Sequence, residues 1–236
     1  MHRDLREADW PRGQRIAVLA PHPDDFDAVA LTLRHFHVRG DTIHLAVLTD
    51  GASGVESAYP GAVNDAAKGA LREREQFASC AAFGLPPERV AFLRLAASEL
   101  EFSAANVAVV RDWLLPLRAD LVFMPHGNDS NATHRQTYAL FCAVAEQEKL
   151  TLCAMLNQDA KTRSMRHDLY LPFGDADARW KAALLRCHDT QQQRNLNARG
   201  HGFDERVLAV NRATAQALGL AAEYAEAFEL ERWPQQ

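Results

Sequence analysis

The chain has 236 residues, 47% of them hydrophobic and 24% charged, with ten histidines, four cysteines and a net charge of −5. That balance suits a soluble globular protein with one substantial core, and its mild acidity argues against a nucleic-acid partner, which requires a basic surface. No apolar run nears the roughly 18–20 residues of a membrane span, residues 1–15 lack the apolar stretch of a signal peptide, and the cysteines form no C-x-x-C pair. The expectation is a cytoplasmic protein with reduced thiols in its core.

Continuously apolar runs rich in β-branched residues predict strands at 15–20, 43–48, 89–95, 121–124 and 150–156, with helical patterns between them at 28–38, 66–83, 104–117 and 134–148. Apolar strands alternating with helices predict an α/β fold, a Rossmann-like, doubly wound and mostly parallel sheet covered on both faces. Beyond residue 156 the pattern changes. A polar stretch at 157–168, whose basic part 161–167 reads as a solvated hairpin, precedes helices at 176–186 and 205–218. The run 191–194 continues a helix past His188, and 226–232 reads as an edge strand. With no repeat, low-complexity tract or linker, the expectation is a single domain over 1–236. Its Rossmann-like core spans about 1–160 and a C-terminal lobe about 161–236, compatible with a homo-oligomer.

Ligands of such folds bind at the carboxyl ends of the strands where the strand order reverses, which in a Rossmann order falls between the first and fourth strands. After the first strand comes Ala20-Pro21-His22-Pro23-Asp24-Asp25-Phe26-Asp27. A dinucleotide-binding loop would carry G-x-G-x-x-G, and this one has no glycine. An imidazole beside carboxylates repels a phosphate and suits a borderline metal such as zinc, although the same aspartates would also favour a helix N-terminus. Two adjacent carboxylates allow a division of labour, one binding metal while its neighbour handles a proton. After the fourth strand, Thr133 and Gln136 fit a T-x-x-Q capping box, placing His134 in the first turn of the next helix and across the crevice from His22. His22, Asp25 and His134 then form a three-ligand set with a fourth position open to water, as in catalytic zinc sites, with iron(II) a competing occupant.

The sequence PHPDD at 21–25 resembles the A-H-P-D-D-E signature of the PIG-L/LmbE-like zinc-dependent N-deacetylases. Thr49-Asp50-Gly51-Ala52-Ser53-Gly54 is similar to that family's T-x-G-x-x-G loop, and Arg72 to Glu75 to its R-x-x-E helix. Asp129 to His134 resembles its D-x-H-P-D-H segment, His188 to Gln191 its H-x-[ST]-Q element, and Tyr224 to Phe228 its Y-A-E-x-F. The resemblance implies that His22, Asp25 and His134 bind zinc, that Asp24 is the general base, and that Arg72 and Asp129 contact substrate. It implies a hydrolase that removes an N-acyl group, acetyl foremost, from an amino sugar or its conjugate. The other readings are an amidase on a larger sugar-linked amide and a non-catalytic metal- or ligand-binding protein.

Three positions depart from the family pattern. Phe26 stands in place of the glutamate, Asn131 in place of the first histidine of D-x-H-P-D-H, and Thr133 in place of the aspartate that would orient it. The metal set survives and the auxiliary His-Asp pair does not. Asn131 is expected to donate a neutral hydrogen bond to an oxyanion, with His126 or His188 supplying an acidic proton.

Overall fold

The computed structural model describes residues 2–95 and 101–234. In chain order its main elements are β1 (Arg3–Asp4), β2 (Arg15–Ala20), α1 (Asp25–Ala28), α2 (Ala30–Val38), β3 (Thr42–Val47), α3 (Asp65–Phe83), β4 (Val90–Phe92) and α4 (Ala104–Leu114). There follow β5 (Leu121–Pro125), α5 (Ala132–Gln147), β6 (Leu152–Asn157), β7 (Leu169–Phe173), α6 (Asp175–Leu185), α7 (Asp189–Arg199), α8 (Phe203–Ala217) and β8 (Tyr224–Trp233). The eight strands form one sheet in the order β1-β7-β8-β6-β5-β2-β3-β4. Strands β4, β3, β2, β5 and β6 run parallel, as in a doubly wound α/β sheet, and β8 joins β6 antiparallel.

The central strands are apolar through most of their length because both sheet faces are covered. Ile16, Val18, Ile43, Leu45, Leu121 and Phe123 pack on one face with Leu33 and Phe36 of α2 and Phe83 of α3. Their alternates Ala17, Leu19, Ala46, Val122 and Met124 pack on the other with Val110 of α4 and Phe141 and Val144 of α5. Side chains on a strand alternate in direction, so a strand covered on both sides shows no polar alternation. The sheet edges are β1, of two residues, and β4, of three, too short to template pairing with another chain. Among the described residues no helix is long and apolar enough to cross a membrane. All four cysteines are free, and of these only Cys80 is fully buried.

Strand β8 is not at an edge. It lies between β7 and β6, antiparallel to both, which the sequence disguised by placing glutamates along it. Glu226 is 2% exposed and is neutralised by Lys181 of α6, itself 0% exposed, at 2.6 Å. The same carboxylate accepts from the N–H groups of Leu31 and Thr32 at 3.2 and 2.8 Å. Val29, at the N-cap of α2, supplies no side-chain cap, so Glu226 satisfies first-turn donors that would otherwise be orphaned. Lys181 also donates to the Ala28 carbonyl at 2.5 Å and so ties down the end of α1.

Candidate metal centre and active-site cleft

The reversal of strand order falls between β2 and β5, which are adjacent and parallel. The loops after both meet over a cavity of about 560 Å³. His22, Asp25 and His134 each present one ligand atom there, all within 4.8 Å of one another. His22 Nδ1 lies 3.2 Å from one Asp25 oxygen, and His134 Nε2 lies 3.6 Å from the other. These spacings fit the edge of a tetrahedron built on zinc–ligand bonds of about 2.0–2.1 Å. Two imidazoles and one carboxylate make a donor set that zinc accepts and that leaves a position free.

His134 is 3% exposed, and Asp129 holds it from behind at 3.3 Å from Nδ1. An acceptor on Nδ1–H fixes the tautomer that leaves the Nε2 lone pair for a metal. Burial alone would push His134 down. The carboxylates of Asp25, Asp129 and Asp159 outweigh it and hold the imidazole up to about 9. Asp25 responds in the opposite sense, because burial raises it but His134 and His22 bring it below the ordinary carboxylate range. Asp129, His134 and Asp159 form a second group of ligand atoms. In that group Asp129 is 0% exposed and bonded to the Asn131 N–H, His134 and Thr162, so the cavity-facing set is the His22 one. The structure thus places Asp129 behind His134 and outside the cavity lining.

Asp24 sits at the entrance of α1 with φ 115, in the left-handed region that non-glycine residues rarely occupy. One face of α3 holds that turn. Arg72 donates to the Pro23 carbonyl and, at 2.8 Å, to Asp24 Oδ2; Gln76, one turn on, accepts the Asp24 N–H at 2.9 Å. Ser79 completes the stripe by donating to Asp27. Arg72 lines the cavity yet is 2% exposed, and its Nε and Nη1 have no partner among the described residues. Burial, with Asp25 adding to it, raises the Asp24 pKa against the pull of Arg72, His188 and His22.

The short motifs acquire local reasons. Gly51 has φ 64, and a Cβ there would lie 3.2 Å from Arg72 Nε; a Cβ on Gly54 would lie 3.2 Å from Gln191. Glu75 accepts from the backbone and hydroxyl of Thr190, both at 2.7 Å, capping α7, and Gln191 donates to the Gly54 carbonyl at 3.0 Å. His188 Nε2 lies 2.7 Å from Asp27, with both side chains 0% exposed. His188 therefore stands beneath the loop that carries His22 and Asp25, and not in the cavity lining. His126 is likewise engaged elsewhere. Its Nδ1 accepts the Asn128 N–H at 2.9 Å and its Nε2 faces Glu229 at 3.2 Å, so it too is absent from the lining.

Asn131 does line the cavity. It is also the N-cap of α5, accepting the Thr133 N–H at 3.0 Å, so the capping box expected at Thr133 gives way to a cap two residues earlier. His134 keeps its first-turn position. Sequence reasoning missed Gln76 and most of the cavity's outer wall, where Asn195 and Arg199 of α7 and Arg206 of α8 join Lys161. The signal was a polar helix with Gln191, Arg194, Asn195, Ala198 and Arg199 on one stripe, a spacing that solvent-facing helices share.

A model of the PIG-L family, described as GlcNAc-PI de-N-acetylase, matches residues 17–145, more than half the chain. The protein belongs to this family. Among solved structures it is similar to the N,N'-diacetylchitobiose deacetylase of Pyrococcus horikoshii, at 16% identity and a TM-score of 0.77 over 93% of this chain and 84% of that one. It is similar as well to GalB, the 4-carboxy-2-hydroxymuconate hydratase of Pseudomonas putida, at 16% identity and a TM-score of 0.72 over 94% and 98% of the two chains. A third neighbour is the zinc-inhibited form of the teicoplanin deacetylase Orf2, at 12% identity and a TM-score of 0.68 over 94% and 100%. At these identities the structural matches establish the fold. No curated protein sequence matches the chain.

Proposed function

We propose that the protein is a zinc-dependent hydrolase that removes an N-acyl group, acetyl foremost, from an amino sugar or its conjugate. The observation that carries this reading is the pairing of a three-ligand cluster with a second, strained carboxylate at the same cavity, in a chain of the PIG-L family. Two of the structural neighbours named above are deacetylases and one is a hydratase, so the fold serves both water-adding chemistries. The family match supports hydrolysis.

His22, Asp25 and His134 would hold the metal, and the same donors admit iron(II). When bound, zinc supplies Lewis-acid polarisation of a carbonyl and a water acidified toward a pKa of about 7. Asp24 moves the proton. Its Oδ2 is engaged by Arg72, which leaves Oδ1 to accept a proton from the attacking water and return it to the departing nitrogen. Its raised pKa brings it closer to the operating pH, where a carboxylate serves both as base and as acid. Arg72 steadies the carboxylate in its strained turn. Asn131 spends its carbonyl oxygen on the Thr133 N–H and has its side-chain N–H donors left for the developing oxyanion.

The test is metal analysis combined with amine release from N-acetylglucosamine and N,N'-diacetylchitobiose. Asp24→Asn should keep its metal and lose turnover by about 10²–10⁴-fold. A wild-type protein that holds zinc and releases no amine from any N-acyl sugar would refute the proposal.

A further inference from the structure

Asp24 is the proposed base, and both of its backbone polar groups are held, as is one carboxylate oxygen. Arg72 engages Oδ2, the Asp27 N–H donates to the Asp24 carbonyl at 3.0 Å, and the Asp24 N–H donates to Gln76 Oε1 at 2.9 Å. The last contact depends on which way the Gln76 amide faces, since one end of an amide accepts and the other donates. With Oε1 on the Asp24 N–H, Nε2 lies 3.4 Å from Asp27 Oδ2. Turned over, the amide would set its NH₂ group against the Asp24 N–H and its oxygen against the Asp27 carboxylate. Gln76 and Asp27 are both fully buried, so no water would relieve those two like-with-like contacts. Asp27 therefore chooses the face that Gln76 shows to the strained turn.

Asp27 is itself oriented from two helices. Phe26, the residue before it, turns into the core against Phe83, with ring centroids 5.0 Å apart. Asp27 turns instead toward α3 and α7. Ser79 of α3 donates to its Oδ1, and Oδ2 meets Nε2 of His188, the N-cap residue of α7, at 2.7 Å. A carboxylate only accepts, so that nitrogen carries the proton. The other ring nitrogen, His188 Nδ1, is buried with no hydrogen-bond partner among the described residues. A buried imidazole with one nitrogen unsatisfied is a costly packing piece, and an aliphatic side chain would fill the space without that penalty. What the ring supplies is the bond to Asp27. His188 lies 161 residues along the chain from Asp27, at the start of the helix that walls the cavity. The pair fastens the loop that carries Asp24 to the C-terminal part of the protein.

We propose that Asp27 and His188 are positioning residues for the reaction, acting through Gln76 to hold Asp24 in its strained turn. This rests on the proposed role of Asp24 as the group that moves the proton. Neither side chain lines the cavity, so neither touches substrate. Their loss displaces the proton-moving carboxylate alone, and the effect falls on the chemical step while substrate binding is spared.

The experiment compares His188→Leu, which removes the donor to Asp27, with His188→Gln, whose amide can place an N–H where Nε2 was. Asp27→Ala removes the carboxylate. Asp41→Asn alters a buried carboxylate that accepts the Gln14 N–H at the opposite end of the sheet, and it controls for lost stability. Each variant is measured for amine release from N-acetylglucosamine and N,N'-diacetylchitobiose, for zinc content, and for exchange of the Asp24 amide proton by NMR. In His188→Leu and Asp27→Ala, kcat should fall by about 10–100-fold with zinc retained and KM within about twofold. The Asp24 amide should exchange at least about tenfold faster in both. His188→Gln should restore most of the rate and of the protection, and Asp41→Asn should change neither. Unchanged Asp24 exchange in His188→Leu overturns the proposal, as does faster exchange with kcat intact. So do zinc loss in step with kcat, a glutamine variant no better than the leucine one, or an equal loss of kcat in Asp41→Asn. A wild-type protein that releases no amine refutes the hydrolase reading, and the exchange rates then decide alone whether the pair holds Asp24. Should Asp27→Ala fail to fold, the two His188 variants carry the test.

Discussion

Replacing Asp129 with asparagine tests whether that residue acts on substrate or on the metal centre. Asp129 is 0% exposed, and its two oxygens serve three donors: the Asn131 N–H at 2.6 Å, His134 Nδ1 at 3.3 Å and the Thr162 hydroxyl at 3.4 Å. An asparagine of the same shape has one acceptor oxygen. If that oxygen keeps the Asn131 N–H, the new NH₂ group faces His134 Nδ1 and favours the tautomer with its proton on Nε2, the nitrogen needed for metal. If it turns toward His134, the loop loses its tightest bond. Loss of a partner behind a metal-binding histidine typically costs about 10–100-fold in affinity, which is about 1.4–2.8 kcal/mol. The assay is zinc competition against a chelating dye, run on wild type and Asp129→Asn, with kcat and KM measured at saturating zinc. The expected outcome is the weakened zinc affinity with KM little changed. An unchanged zinc affinity combined with a raised KM would refute this reasoning and restore Asp129 as a substrate contact.

Other predictions follow from the same geometry. His126→Ala should leave turnover within about twofold, because groups that do not touch the reacting atoms contribute little differential binding; a larger loss in steady-state kinetics would return His126 to the site. Lys181→Met strands the buried charge of Glu226 and should cost about 3–5 kcal/mol, lowering Tm by roughly 10 °C in a thermal melt. Metal uptake should depend on pH. With His134 held up to about 9, the metal-free protein carries its proton at pH 7, and a ligand must shed that proton to bind. Calorimetry in buffers of different ionisation enthalpy should show about one proton released per zinc, with apparent affinity falling up to about tenfold per pH unit as pH drops below 8. Release of no proton would place His134 outside the ligand set.

The parts of the fold legible in the sequence were those whose physics is local. Strands β2, β3, β5 and β6 stood out because they are covered on both faces, and the two loops at the strand reversal carried the ligand types in plain order. The C-terminal segment was harder to read. In β7, Pro172 interrupts Leu169–Phe173, and proline argues against an interior strand. In β8, the glutamates look solvated until their partners arrive from far away: Lys181 for Glu226, Arg166 for Glu229 and Tyr138 for Glu231. The site followed the same division. His22, Asp25 and His134 were readable, whereas Gln76 and the arginines of α7 and α8 acquire meaning only once those helices are folded over the crevice. His126 and His188 were plausible by proximity in sequence to the motifs, but Glu229 and Asp27 engage them outside the cavity lining.

The cap that Glu226 places on α2 has a consequence for biosynthesis. The loop bearing His22 and Asp25 emerges early from the ribosome, but the carboxylate that satisfies Leu31 and Thr32 lies 195 and 194 residues downstream. Until β8 slides between β6 and β7, the start of α2 has open donors, and Lys181 has no counter-charge. A nascent chain halted before Tyr224 would contain His22, Asp25 and His134 and still lack the cap on the start of α2. On the proposed metal site, loading is expected to wait for β8, and zinc retention by truncated chains would test whether the sheet must close first.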